Sequence, residues 1–151
     1  MKLTLKDVTY IIIPIVLGFL FSNICKINNT AGEGVPLRPP NWLFPIVWSI
    51  LYLCIGIAWV QVKHYSNMNK NTQSLVNLLF WILNVTLTGW IIFYSCFNKK
   101  EIGPIMILLS FIITLIIMIK TNDLEINLLL APLAIWLSFV MYLNIYEISV
   151  L

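Results

Sequence analysis

The sequence has few charged residues for its length. Only 10% of its 151 residues are Asp, Glu, Lys or Arg, whereas 60% are hydrophobic, and the mean hydropathy is +0.93. Soluble domains carry about 25% charged residues, which cover the surface that faces water. Because so few charges cannot cover a water-facing surface of this size, the sequence predicts a protein that lies in a lipid bilayer.

Ionisable side chains are also missing from the central turns of the predicted membrane spans. Proton-coupled pumps and ion channels with charged rings usually carry such groups, so neither class is favoured. The single histidine, His64, lies in a polar loop, where we expect it to be solvated, and this argues against a Ser–His–Asp triad. No phosphate-binding loop, dinucleotide fingerprint or zinc-protease motif is present, and no basic run indicates a nucleic-acid partner.

Cysteines are scarce as well. Cys25, Cys54 and Cys96 are odd in number and fit no metal-ligand spacing, so we interpret them as apolar thiols that fill helix packing. We predict neither a metal ion nor a cofactor. An apolar segment follows Lys2 and Lys6 without a small-residue cleavage site, which favours a retained first helix over a signal peptide.

The apolar runs predict an all-α membrane protein, a bundle of five transmembrane helices in one domain that covers residues 1–151. A spanning helix needs about 20 residues, so the chain accommodates five spans with short loops. The predicted spans are residues 7–25, 41–63, 74–97, 102–120 and 126–148. Five Lys residues lie on the N-terminal face and four Lys or Arg residues on the other, so the positive-inside rule leaves the orientation open.

The longest loop, residues 26–40, joins the first two spans. Asn28, Asn29 and Thr30 predict a turn, as does the segment 32–34, and three prolines follow. A loop of this length beside short ones either covers a site as a lid or is a plain linker, and the sequence leaves both open.

An aromatic stripe runs along the second span. Its members recur at steps of three and four, which places them on one helix face: Pro45, Trp48, Tyr52, Ile55 and Trp59. Trp42 and Trp59 fit the aromatic belts of the two membrane interfaces, and Asn41 is placed to cap the helix. Trp48 and Tyr52 lie deeper, where they either pack in the core or line a pocket.

The third span carries a polar stripe at the same spacing: Asn77, Trp81, Asn84, Thr88, Ile91 and Ser95. Polar groups in lipid face the bundle interior or a cavity, so Asn84, near the middle, binds either a neighbouring helix or a ligand. The fourth span reads as a lipid-facing or dimer surface. At the start of the fifth span Asp123 or Asn122 is a candidate cap, and further on Pro132 and Trp136 mirror Pro45 and Trp48.

The chemistry available within the spans is aromatic faces, amides and hydroxyls. These groups suit a flat, largely apolar ligand that is held by stacking and a few hydrogen bonds. A porphyrin, a sterol or a polyaromatic drug fits that description.

Several stretches of the sequence resemble one known family. They are the run from Pro39 to Tyr52, the pair Leu83 and Asn84, and the segment from Pro132 through Trp136 and Phe139 to Asn144. Together with five spans in this length, they resemble the translocator protein family, also called tryptophan-rich sensory protein or peripheral-type benzodiazepine receptor. The resemblance implies a five-helix bundle, often a homodimer, with a pocket that opens toward the first long loop.

The resemblance also implies ligands and activities. The ligands are porphyrins such as protoporphyrin IX, sterols, and benzodiazepine or isoquinoline drugs. Some bacterial members are reported to promote light-dependent porphyrin breakdown, so a porphyrin-degrading enzyme is one alternative to a binding protein, and a porphyrin or sterol transporter is another. The sequence offers no inverted repeat, coupling-ion site or pair of broken helices in support of transport.

Family pocket residues carry over to matching positions here. The pocket tryptophans match Trp48 and Trp136, the pocket asparagine matches Asn84, and the proline of the second span matches Pro45. The ligand-binding candidates are Pro45, Trp48, Tyr52, Asn84, Thr88, Trp136 and Phe139. We expect a porphyrin-like ligand stacked between Trp48 and Trp136, and no catalytic residue apart from these two indoles if bound porphyrin is oxidised.

The chain departs from the family pattern in three places. Its first loop has no aromatic ring ahead of the double proline. The tryptophan that usually follows the third-span asparagine is Leu87, with Trp90 a further turn on. Near the C-terminus Leu143 and Tyr146 are followed by no basic residue, so the proposed sterol-recognition pattern is incomplete there.

Overall fold

The computed structural model describes residues 2–26, 32–65 and 67–150, which form five α-helices and a π-helical turn. The helices are α1 (Leu5–Ile24), α2 (Leu43–Lys63), α3 (Lys70–Ile91), α4 (Ile102–Thr121) and α5 (Leu124–Ser149), and the π-helical turn Ile92–Cys96 extends α3. All five are long and apolar enough to cross a membrane, which confirms the predicted all-α bundle and its multi-pass membrane location. The turn predicted at Asn28, Asn29 and Thr30 lies outside the described residues.

Side-chain caps fix the start of α1 and of α5. The Thr4 hydroxyl accepts a hydrogen bond from the backbone N–H of Asp7, and the Asp7 carboxylate accepts one from the N–H of Thr4. This reciprocal pair satisfies two of the N–H groups that a helix start leaves without an intrahelical partner. At α5 the Asp123 carboxylate accepts from the N–H of Ile126, which confirms one of the two predicted caps.

The start of α2 differs from the prediction. The helix begins at Leu43, so Asn41 lies one residue outside the cap position, and its role as the cap is wrong. The side-chain oxygen of Asn41 instead accepts a hydrogen bond of 2.6 Å from the Arg38 guanidinium. Asn41 therefore belongs to the loop that precedes the helix.

Close packing of α1 on α2 depends on Gly56. A Cβ atom at this position would lie 2.6 Å from the Cα atom of Ile11, which is closer than real side chains come to a backbone. Small residues let helices approach in this way in lipid, where packing rather than the hydrophobic effect drives helix association. The middle of α1 is therefore held against α2.

Trp59 lies in the core and does not form an interfacial belt. Its side chain is fully buried, and its indole N–H donates a 2.7 Å hydrogen bond to the Asn77 side chain of α3. The Phe80 ring stacks on it with centroids 5.7 Å apart, and the Trp81 ring meets it edge to face at 4.8 Å. The belt interpretation of Trp59 is wrong because α3 covers the ring, whereas Trp42 is 65% exposed.

α4 packs one face against α3 and α5. The buried hydroxyls of Thr86 on α3 and Ser110 on α4 share a 2.7 Å hydrogen bond, and Thr114 donates to the Ser110 carbonyl. The outward face carries exposed apolar side chains, among them Ile105 and Leu109. The lipid-facing interpretation of this span therefore describes only one of its faces.

His64 joins the first turn of α1 to the end of α2. Its Nε2 atom lies 2.9 Å from the Asp7 carboxylate, which is nearly buried. His64 is exposed, as predicted, but it is not surrounded by water alone, because the folded helix ends bring its imidazole onto a carboxylate 57 residues away in the sequence.

Candidate functional site

A cavity of about 490 Å³ lies among α1, α2, α5 and the end of α3, beside the loop that joins α1 and α2. Its volume falls within the range of roughly 300–1,000 Å³ that is typical of small-molecule sites. Six aromatic side chains line it: Phe19, Phe44, Trp48, Tyr52, Trp90 and Tyr94. Its polar and charged lining residues are Ser22, Asn23, Lys26, Arg38, Asn41, Asn144 and Glu147.

The described end of the first loop covers this cavity. Gly32, Val35 and Arg38 form part of the cavity wall, and Val35 is buried. The Pro36 carbonyl accepts a 3.2 Å hydrogen bond from the Tyr142 hydroxyl of α5, which holds the loop against the bundle. Residues 32–38 thus border the cavity. Of the two roles considered for the first loop, this position favours a lid over a plain linker.

Trp48 is the centre of the aromatic lining. Its ring stacks with Tyr52 at a centroid distance of 5.5 Å and with Trp90 of α3 at 5.7 Å. Gly18 of α1 makes room for this arrangement, since a Cβ atom there would overlap the Tyr52 ring. The three rings present a continuous aromatic wall that α2 and α3 build together.

Trp48 and Trp136 also touch, but edge to face. Their centroids are 6.4 Å apart and their planes are at 84°. No flat ligand fits between two rings in this contact unless they separate, so the expected sandwich is not the geometry of this structure. The cavity lies beside Trp48, and Trp136 packs against that ring nearly at right angles.

The structure brings only part of the predicted site together. Pro45, Trp48 and Tyr52 line the cavity, whereas Trp136 and Phe139 are absent from its lining and contact each other, with centroids 5.6 Å apart. Their assignment to ligand binding stays a prediction.

Asn84 and Thr88 are also absent from the cavity lining. The Asn84 amide donates to the Phe80 carbonyl, and the Thr88 hydroxyl donates to the Asn84 carbonyl. Both hydrogen bonds stay within α3, so neither of the two roles considered for Asn84 has a counterpart in these contacts. A part of either residue in ligand binding stays a prediction.

Sequence reasoning missed a polar cluster in the cavity wall. Glu147 of α5 accepts a 2.6 Å hydrogen bond from the Tyr94 hydroxyl and forms a 2.6 Å ion pair with the Lys100 ammonium group. One turn earlier, Asn144 accepts a hydrogen bond from the Trp90 indole N–H. Glu147 is only 7% exposed, so its charge is balanced inside the protein and not by water.

The signal for this cluster was present in the sequence. Leu83, Leu87, Trp90 and Tyr94 recur at steps of four, three and four, which defines a face of α3 beside the polar stripe. Asn144 lies three residues before Glu147, a spacing that places both on one face of α5. The cavity uses these two faces.

A disulfide bond joins Cys25, just after α1, to Cys96, the last residue of the π-helical turn. The Cα atoms are 4.9 Å apart, within the usual range for a disulfide. The interpretation of these two cysteines as filler thiols is wrong, because the folded helices bring together residues 71 positions apart. Cys54 remains a free, partly buried thiol.

Comparison with known proteins agrees with this architecture. The model of the TspO/MBR family matches residues 10–149, a range that includes every residue that lines the cavity. The chain belongs to the TspO/MBR family. The resemblance found in the sequence is thereby confirmed.

Individual TspO/MBR relatives give the same result. The Tryptophan-rich protein TspO of Chlorobaculum tepidum is 32% identical over 109 residues, which are 71% of this chain and 68% of that protein. Protein CrtK of Rhodobacter capsulatus is 26% identical over 70% of this chain and 67% of its own length. The Tryptophan-rich protein TspO of Archaeoglobus fulgidus is 30% identical over 76% of this chain and 74% of its own.

Proposed function

We propose that this TspO/MBR protein binds a flat, largely apolar ligand of the porphyrin type in the cavity. The observation that carries the proposal is the stacked wall of Tyr52, Trp48 and Trp90 beside a cavity of about 490 Å³. Aromatic faces favour offset stacking on another conjugated ring, and a flat macrocycle offers the largest such face. The homodimer and the drug ligands implied by the resemblance stay predictions.

The charges of the cavity favour a porphyrin over a sterol. Lys26 and Arg38 both line it, while the carboxylate of Glu147 is already paired with Lys100. The lining therefore has an excess of positive charge, which suits the carboxylate groups of protoporphyrin IX. A sterol carries neither a conjugated plane nor a carboxylate.

We assign direct contact with the ligand to Pro45, Trp48 and Tyr52, and add Trp90. Trp136 acts on the ligand through the ring of Trp48, which it contacts nearly at right angles. The Trp136 indole N–H is buried without a partner among the described residues, so a rearrangement that brought a ligand acceptor to it would satisfy that donor.

Titration of the purified protein with protoporphyrin IX, followed by quenching of tryptophan fluorescence, tests the proposal. Trp48→Leu removes the central ring of the wall, and we expect affinity to fall about two- to tenfold, the value of a lost aromatic pair. Trp42→Leu is the matched control, because Trp42 is exposed and lies outside the cavity lining. Equal affinities for Trp48→Leu and the unchanged protein would contradict the assigned site.

A second function, light-dependent oxidation of the bound porphyrin, is favoured by one further observation. Trp48 contacts Trp90, Trp90 contacts Tyr94 at 5.8 Å, and the Tyr94 hydroxyl donates to the Glu147 carboxylate. A photoexcited porphyrin can take an electron from Tyr94 through the two indoles, and the Glu147 carboxylate can take the proton that the oxidised tyrosine loses. The reduced porphyrin can pass that electron to dissolved dioxygen, which is the oxidant that then attacks the macrocycle.

Illumination of the complex separates this function from simple binding. We expect the porphyrin absorbance to bleach faster in the protein than in detergent, and more slowly again in Tyr94→Phe, which keeps the ring but lacks the phenolic proton. A porphyrin that bleaches at the same rate in detergent alone would end the enzymatic reading and leave the binding proposal intact.

A further inference from the structure

The disulfide bond lies in the rim of the cavity. Asn23 and Lys26, on either side of Cys25, line the cavity, and so does Tyr94, two residues before Cys96. The bond therefore closes the wall at the place where the end of α1 meets the end of the π-helical turn.

α1 is the least buried of the five spans. Only 17% of its apolar stretch is buried, against 33% to 44% in the other four. Its close contacts with α2 at Gly56 and with Tyr52 at Gly18 hold its middle. The segment beyond Gly18 is fixed to α3 covalently, through the bond between Cys25 and Cys96.

The π-helical turn aims Cys96 at this bond. It occupies Ile92–Cys96 at the end of α3 and contains Tyr94. One inserted residue rotates every following side chain by about 100° relative to an unbroken α-helix, because the helix has 3.6 residues per turn. Such turns are frequent at functional sites, and this one presents Tyr94 to the cavity and Cys96 to Cys25 at the end of α1.

The two bonded cysteine residues differ in exposure. Cys25 is 3% exposed, whereas Cys96 is an exposed residue. Cys96 is therefore the side of the bond that is more open to an incoming thiolate, and exposed disulfides are the ones that exchange readily. The bond is placed for reduction without prior unfolding.

We propose that the Cys25–Cys96 bond is a redox-controlled tie that closes the cavity wall between α1 and α3. A dithiol reductant attacks the Cys96 sulfur, the Cys25 thiolate leaves and takes up a proton, and the second thiol of the reductant then releases Cys96. Two electrons and two protons pass to the protein, and the dithiol becomes a disulfide. Reduction frees the end of α1, opens the wall toward lipid and weakens the hold on a bound ligand.

The first test asks whether the bond forms. Full-length protein extracted from membranes in the presence of an alkylating agent should carry one label by intact mass, on Cys54, and three labels after treatment with dithiothreitol. Three labels without dithiothreitol would overturn the proposal.

Hydrogen exchange in lipid nanodiscs tests the opening without any ligand. We expect dithiothreitol to raise amide exchange in residues 19–25 and 92–96, and Cys25→Ser with Cys96→Ser to show the raised exchange from the outset. Cys54→Ser is the control and should respond to dithiothreitol like the unchanged protein. Unaltered exchange after complete reduction would overturn the proposal even if a serine variant folds poorly, because the reduced natural sequence supplies the same comparison.

Protoporphyrin IX then links the tie to the cavity, and this step rests on the proposed function. We expect affinity to fall about fivefold or more on reduction, the lower end of typical coupling between two sites, and bound porphyrin to disfavour reduction by the same factor. Raised exchange without porphyrin binding in either form would uphold the tie and refute the proposed function. Equal affinity in both forms together with unaltered exchange would refute the tie and uphold the function.

Discussion

The two tryptophans of α2 that lie on one stripe have opposite surroundings. Trp59 is fully buried, with Phe80 on its face, Trp81 at its edge and its N–H bonded to Asn77. Trp48, three turns earlier on the same helix, borders a cavity. The same ring on the same helix face therefore closes one end of the bundle and lines a space at the other.

Neighbouring helices make this difference. At the closed end α3 supplies Phe80 and Asn77, which match the face and the donor of Trp59. At the open end α1 supplies only Gly18 against the Tyr52 ring, and residues 32–38 border the cavity as a loop in place of a helix. A cavity arises where the surrounding elements cannot supply enough side-chain volume.

Replacement of the two rings should give the largest contrast. We expect Trp59→Ala to lower the free energy of unfolding by about 3–5 kcal/mol, the usual loss for a buried aromatic ring. Trp48→Ala should lower it less, because that ring already borders empty space. Chemical denaturation in detergent, with Trp42→Ala as an exposed control, measures both. Equal losses for the two variants would contradict the division into a closed and an open end.

The sequence predicted the helices better than it predicted which residues pack against one another. Five apolar runs were enough to predict five helices, because only structures that satisfy their own backbone hydrogen bonds cross lipid. Some helices begin earlier than predicted because a capping side chain sets the first residue. The third span was predicted to begin at residue 74, but α3 begins at Lys70, since the Asn69 side chain accepts a hydrogen bond from the N–H of Asn71. The periodicity of α2 places Trp48 and Trp59 on one helix face. It does not predict which residues of other helices, such as Phe80 of α3 or Gly18 of α1, will pack against them.

The cavity-lining residues were predicted only in part, because the sequence does not show which face of a helix meets the cavity. Among the faces of α3, the polar stripe through Asn84 gave the stronger sequence signal, since polar groups in lipid are costly. Yet the Asn84 side chain bonds its own helix, and Trp90 and Tyr94 on the adjacent face line the cavity. The pairing of Cys25 with Cys96 depends on a π-helical turn and a contact through space, and spacing along the sequence reveals neither.

At each end of the bundle an indole N–H donates a hydrogen bond to an asparagine side chain. Trp59 donates to Asn77 at 2.7 Å in the closed end, and Trp90 donates to Asn144 at 3.2 Å beside the cavity. We expect Asn77→Leu to lower the free energy of unfolding by about 1–3 kcal/mol, because it leaves a buried donor without a partner.

Asn144→Leu should affect stability less than Asn77→Leu, because water in the cavity can replace the lost acceptor. Its effect should fall on protoporphyrin IX affinity, since Asn144 lines the cavity and Asn77 does not. Measurement of unfolding and of porphyrin affinity on both variants decides the point. If Asn77→Leu altered affinity and left stability unchanged, the two ends would not differ in the proposed way.

The smallest expected effect concerns the loop over the cavity. Tyr142→Phe removes the hydroxyl that donates to the Pro36 carbonyl and keeps the ring that stacks on Phe139. One neutral hydrogen bond contributes about 0.5–1.5 kcal/mol, so the closed loop should become less favoured by a factor of roughly two to ten. Tyr142 is absent from the cavity lining and lies partly exposed, so stability should change little while porphyrin dissociates faster in stopped-flow measurements.

Tyr146→Phe, on the same helix without a bond to the loop among the described residues, is the matched control. A faster dissociation in Tyr146→Phe than in Tyr142→Phe would show that the loop does not hold the ligand in place.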